Sequence, residues 1–118
     1  MFIKKRKTEI TKSLKEEILD LNNKLSIFGI SIKSLTSMNP LKPEDKKLVI
    51  NIINFILDDH SLIKYVYTNK KLPMNMLIES LKIKKSFLKK NNDYIIGMLI
   101  IMENKSSLLY EFIKDGLN

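Results

Sequence analysis

The chain has no cysteine, no tryptophan, one histidine, three glycines and three prolines in 118 residues. Without cysteine there is no disulfide, no thiolate zinc site and no cysteine nucleophile. A lone histidine, His60, excludes a histidine metal cluster, and a Ser-His-Asp triad would have to be built entirely around it. Three glycines leave little for a phosphate-cradling loop, and neither the dinucleotide-binding nor the P-loop glycine pattern occurs. Behind Met1-Phe2-Ile3-Lys4-Lys5-Arg6-Lys7 there is no apolar run of signal-peptide length. Tyr94 to Met102, the longest apolar stretch, is nine residues, against the roughly 20 needed to cross a bilayer. These absences point to a cytoplasmic, non-enzymatic domain with no cofactor, no metal and no small-molecule substrate.

What the chain does have is lysine. The net charge is +8, carried by 20 lysines and one arginine, which suits an anionic partner. The 18 isoleucines, 11 asparagines and absent alanine also fit an AT-rich coding sequence, so the distribution of charge says more than its total. Between Lys70 and Asn92 seven lysines (70, 71, 82, 84, 85, 89, 90) face one acid, Glu79. A second run, Lys4-Lys5-Arg6-Lys7, reads as a solvated face.

Apolar residues recur at helical spacing throughout. Ile10, Leu14, Ile18, Leu21, Leu25 and Phe28 form one stripe, stopped by Gly29. Ser31 can cap a short helix that turns Leu35 and Met38 inward. Asn39-Pro40-Leu41-Lys42-Pro43 is a loop, and Pro43 with Glu44 and Asp45 reads as the first turn of a helix carrying Leu48, Ile52, Phe55 and Ile56. Ser61 is the expected cap of the next helix, with Tyr65 packed and His60 a surface or capping residue. Leu72-Pro73 opens a helix through Glu79, Ser80–Ile83 make a turn, and one long helix follows from about Lys84 to Glu103. A terminal helix with Leu108, Leu109, Phe112 and Ile113 closes the chain. No segment alternates with period two between turns. The expected fold is an all-α, compact multi-helix domain containing a helix-turn-helix. Its parts are an amino-terminal helix or arm over 1–28 and a helical domain over 29–118, with the helix-turn-helix at about 73–103.

A short helix, a tight turn and a helix with a basic opening is the layout that places a second helix amino-end first in the major groove. Leu77, Leu81, Ile83 and Leu88 must then point inward. Lys84, Lys85, Ser86, Lys89, Lys90 and Asn92 would lie outward, the lysines on phosphates and Ser86 and Asn92 within reach of base edges. Two residues sit uneasily in that layout. Lys82 occupies the turn position that often needs glycine, and Ile78 one that often needs a small side chain.

From Leu25 onward the chain resembles the carboxy-terminal domain of the sigma-I type RNA polymerase sigma factors of Gram-positive bacteria. The carrying segments are Phe28-Gly29-Ile30-Ser31 with Leu35, Asn39-Pro40, Leu72-Pro73, and Tyr94-Ile95-Ile96. Leu99 to Ile101 and Leu109-Tyr110-Glu111-Phe112-Ile113 complete the set. The resemblance implies recognition of the upstream (minus-35) promoter element in double-stranded DNA, docking to core RNA polymerase and control by an RsgI-type anti-sigma factor. It matches Lys85 and Lys90 to basic positions of the recognition helix and Asn91 to an asparagine there. Against the family pattern, Ser86 stands for a base, Asn92 for an arginine, Asp93 for a lysine and Lys82 for the turn glycine. The loss of arginine removes bidentate guanine recognition.

The DNA-binding residues expected from both lines are Lys84, Lys85, Ser86, Lys89, Lys90, Asn91 and Asn92. The alternative is a sigma-like interaction module that binds an anti-sigma factor or polymerase without reading DNA, through a groove between the Leu14 and Ile52 helices. A membrane-surface helix over Lys4–Lys15 is opposed by the interleaved Glu9, Glu16 and Glu17. At 118 residues there is no room for the promoter-melting part of a sigma factor. The expectation is an excised carboxy-terminal fragment rather than a free-standing relative.

Overall fold

Residues 15–40 and 42–104 are described in the structure, a computed structural model. The first helix, α1, covers residues 15–26 and carries Leu21 and Leu25 into the core. It ends at Gly29, whose φ of +74° is the left-handed conformation glycine adopts without a Cβ penalty. The amide of Ile30 donates to the Leu25 carbonyl (3.1 Å) and that of Gly29 to Ser26 (3.0 Å), the paired bonds of a Schellman stop. Ile30 and Leu25, brought together by that stop, are both buried.

Helix α2 (Ile32–Met38) is capped by Ser31, whose hydroxyl accepts from Ser34 N while Ser34 Oγ accepts from Ser31 N, each at 3.0 Å. The reciprocal pair satisfies two of the orphan amides at the helix start. The Asn22 side chain of α1 accepts from Ile32 N at 3.1 Å and ties the two helices at the turn. Helix α3 (Pro43–Leu57) opens on proline with Glu44 and Asp45 in its first turn, where acids suit the helix dipole. Its buried residues include Val49 and Ile53 as well as the expected Ile52 and Ile56. Leu48 and Phe55 pack at the margin.

Helix α4 (His60–Asn69) starts two residues earlier than expected. Asp59, not Ser61, is the cap: its carboxylate accepts from Ser61 N (2.9 Å) and Ser61 Oγ (2.6 Å). A carboxylate outcompetes a hydroxyl for that role because its bonds are charge-assisted. The Ser61 hydroxyl bond, ahead of the backbone one, holds the Asp59 carboxyl below the ordinary aspartate range. Helices α5 (Met74–Leu81), α6 (Lys85–Lys90) and α7 (Asn92–Glu103) complete the described chain. The terminal helix expected around Leu108–Ile113 lies outside the described residues, as do Leu14 and the amino-terminal basic run.

The core is organised around α7. Every residue from Tyr94 to Ile101 is buried, so this helix is apolar all round and surrounded rather than laid on a surface. It packs on α2 and α3, while α3 meets α4 and α5 meets α6. At Gly97 a Cβ would fall on the Leu35 side chain, so the absence of a side chain lets α2 and α7 approach closely. The Tyr94 hydroxyl donates to Asn39 Oδ1 (2.7 Å) and so ties α7 to the loop after α2. Leu21 and Leu25 belong to the same buried cluster as Leu35, Ile52 and Ile95. The expected boundary at residue 28 therefore falls between side chains that share one core.

At the far end of α7, Tyr67 donates to Glu103 Oε2 (3.1 Å) and packs its ring edge-on to Phe28 with centroids 6.0 Å apart. Lys24 donates to Asn104 beside it. Burial, and after it the Glu103 charge, push the Tyr67 hydroxyl up to about 12. Tyr65, expected to pack, is instead exposed. Val66 takes the inward position between the two tyrosines.

Candidate nucleic-acid interface

Helices α5 and α6 with the turn between them form the helix-turn-helix expected from the sequence, with shifted boundaries. Helix α5 runs on to Leu81, and the turn is Lys82–Lys84 rather than Ser80–Ile83. Lys82 caps α5 at φ +57°, ψ 40°, and its amide donates to Ile78 O at 3.0 Å. The left-handed turn is made despite the missing glycine, with a lysine accepting the steric cost. The inner faces agree with expectation. Leu77 and Leu88 are fully buried and Ile83 nearly so, while Leu81, Ile78 and Phe87 pack against the core margin.

Lys84 precedes α6 in extended conformation, and its carbonyl receives Phe87 N (3.1 Å) and Leu88 N (3.3 Å). Within α6 the sequence separates two faces. Lys85, Ser86, Lys89 and Lys90 are exposed, and Phe87 and Leu88 turn inward. Steps of one and four residues keep those four polar side chains on one flank of a 3.6-residue helix. With Lys82 and Lys84, both exposed, five ammonium groups border this short stretch. Such a flank offers an anion mobile point charges rather than the planar fork of an arginine.

The long helix expected from Lys84 to Glu103 is interrupted. Asn91 adopts φ −106°, ψ 14°, and closes α6 after six residues. Its Nδ2 donates to Phe87 O at 3.0 Å, and backbone bonds from Asn91 N to Phe87 O (3.0 Å) and from Ile95 N to Asn91 O (2.9 Å) span the break. The result is a kink held by the asparagine side chain, which competes locally for a backbone carbonyl. The kink lets α6 keep one face in solvent while α7 is buried on all sides from Tyr94 to Ile101. Asn91 and Asn92 are consequently half-buried at the junction, and Asn92 Nδ2 donates to the exposed Asp93 carboxylate at 3.1 Å. Of the seven expected binding residues, five stand exposed together and two form the hinge behind them.

Lys82 is a basic residue of this flank that helix-turn-helix mechanics treats only as a misfit turn residue. It stands exposed at the left-handed cap of α5. Among the described residues no group of three or more His, Asp or Glu side chains could hold a metal ion, and His60 is exposed. No described helix is long and apolar enough to cross a membrane.

No protein-family model matches the chain. Among curated proteins it is similar to RNA polymerase sigma factor SigI2 of Acetivibrio thermocellus, 31% identical over 103 residues, 87% of this chain and 39% of that protein. SigI7 of the same organism is 30% identical over 110 residues, covering 93% of this chain and 45% of the relative. RNA polymerase sigma factor SigI of Bacillus anthracis is 26% identical over 102 residues, or 86% and 42%. The chain thus spans about two fifths of the length of the relatives it matches.

Proposed function

We propose that this chain, a relative in sequence of the SigI-type sigma factors, is a promoter DNA-binding domain that reads the upstream (minus-35) element in transcription initiation. One observation carries the reading: the exposed flank of α6, three lysines and a serine with the approach residue Lys84, seated on the buried Ile83 and Leu88. In this reading Lys84, Lys85, Lys89 and Lys90 neutralise phosphates and fix the register of α6 on the duplex. Ser86 and Asn92 reach base edges, Asn92 by exchanging its bond to Asp93 for one to adenine. Asn91 contributes by holding the kink that aims them. The absence of arginine from the flank makes the electrostatic share of binding large and the base-reading share small. Core RNA polymerase and an RsgI-type anti-sigma factor are the protein partners this role implies for the whole polypeptide.

The test is anisotropy of a labelled duplex recovered from a random pool by this chain, beside its scrambled counterpart. The recovered duplex is expected to bind more tightly, and Lys85→Glu with Lys90→Glu to abolish binding to both. Unchanged binding in that double variant removes α6 as the site.

A further inference from the structure

Away from the lysine flank, the surface between α4 and α5 opens into a groove of about 360 Å³. Its floor is Leu62, Leu72 and Pro73, all buried, and its walls carry Tyr65 and Met76. Tyr65 is 36% and Met76 48% exposed; of the four large apolar side chains standing out in solvent among the described residues, two thus face one opening. Isolated exposed apolar residues are ordinary on a protein surface, but apolar walls around a concavity mark a binding site. Methionine suits such a wall, because an unbranched thioether adapts to side chains of different shape.

The charge around the groove fixes the kind of occupant. Lys71 lines it, Lys70 precedes Lys71 at the left-handed end of α4, and Lys64 is exposed beside Tyr65. From His60 to Ile78 the chain carries those three lysines and no carboxylate. A ligand therefore needs an apolar side chain for the floor and negative charge for the rim. A DNA duplex supplies the charge, but its one aliphatic group is the small thymine methyl and its base faces are stacked on each other, and Asn75 alone offers amide chemistry for a base edge. We propose that this groove docks an acidic peptide segment of a partner protein, with an apolar side chain seated between Tyr65 and Met76 and a carboxylate on Lys71. The proposal does not depend on what α6 binds, since none of the α6 residues lines the groove.

The experiment is an amide chemical-shift titration of the full chain with a synthetic dodecapeptide that alternates leucine pairs with aspartate and glutamate. Two control peptides replace its leucines by serine or its acids by lysine. Shifts are expected at Tyr65, Lys71, Asn75 and Met76, with either control binding about tenfold more weakly, as loss of a central apolar or charged anchor typically does. Met76→Asp, at an exposed helix position, should weaken the acidic peptide by about the same factor. Lys71→Glu should weaken it and admit the lysine peptide. The proposal is overturned by equal binding of the serine control, or by shifts confined to 84–90, where acids would be mimicking phosphate. Shifts at the groove with a DNA duplex and none with peptide would overturn it as well.

Discussion

Lys82 shows how much one residue can say about a turn. At φ +57° it holds a left-handed conformation that costs an L-residue about 1–2 kcal/mol, part of which glycine returns as chain entropy when it unfolds. Lys82→Gly is therefore expected to stabilise the fold by about 0.5–1 kcal/mol, a rise of several degrees in Tm; a fall in Tm would show that Lys82 is held there by contacts instead. Tyr67 gives a pH signature. Burial and Glu103 raise its hydroxyl to about 12, so the folded state keeps a proton that the unfolded chain releases near 10. Its contribution is complete below pH 10 and is lost as pH rises toward 12. In denaturant titrations Tyr67→Phe should lose about 1 kcal/mol at neutral pH, and the gap from wild type should close through that alkaline window. A gap that stays constant would mean the hydroxyl is not coupled to folding. The choice between the two tyrosines was not legible in the sequence. Tyr65 and Tyr67 stand two apart on one helix, and which of them packs depends on where Phe28 and Glu103 arrive from elsewhere in the chain.

At the scale of elements, caps and stops are local and could be read directly: Gly29 ends α1, Ser31 caps α2 and Pro43 opens α3. Ser31→Ala should cost about 1 kcal/mol by urea melt. The break at Asn91 could not be read, because Leu88, Tyr94 and Ile95 keep helical spacing across it. What breaks the helix is a demand made by the tertiary structure, for one half exposed on a flank and the other surrounded. The approach of α2 to α7 is likewise tertiary. Gly97→Ala would drive a methyl onto the tip of the Leu35 side chain, which is fully buried and would have to shift. A loss of about 1–3 kcal/mol is expected, partly restored when Leu35→Ala is combined with it. Additive losses in that double-mutant cycle would mean that the two side chains do not meet.

For the whole molecule, the apolar pattern specifies an all-α core, whereas the lysine-rich composition alone could not separate function from codon usage. Position says more: lysines are scattered on most described helices, yet at α6 they share a flank with a serine and no carboxylate. Two proposals belong to this scale, a duplex-binding face on α6 and a peptide groove between α4 and α5, and no residue of α6 lines the groove. The central claim is that the α6 lysines meet DNA phosphates. The slope of log binding constant against log salt counts those phosphates at about 0.9 each, so four lysines give about −3.6 and Lys85→Ala with Lys90→Ala about −1.8. That pair of slopes, measured by anisotropy on one duplex with wild type and double variant, is the direct test. A halved slope is the expected result; an unchanged slope in the double variant would place the DNA contact elsewhere on the molecule and contradict the account.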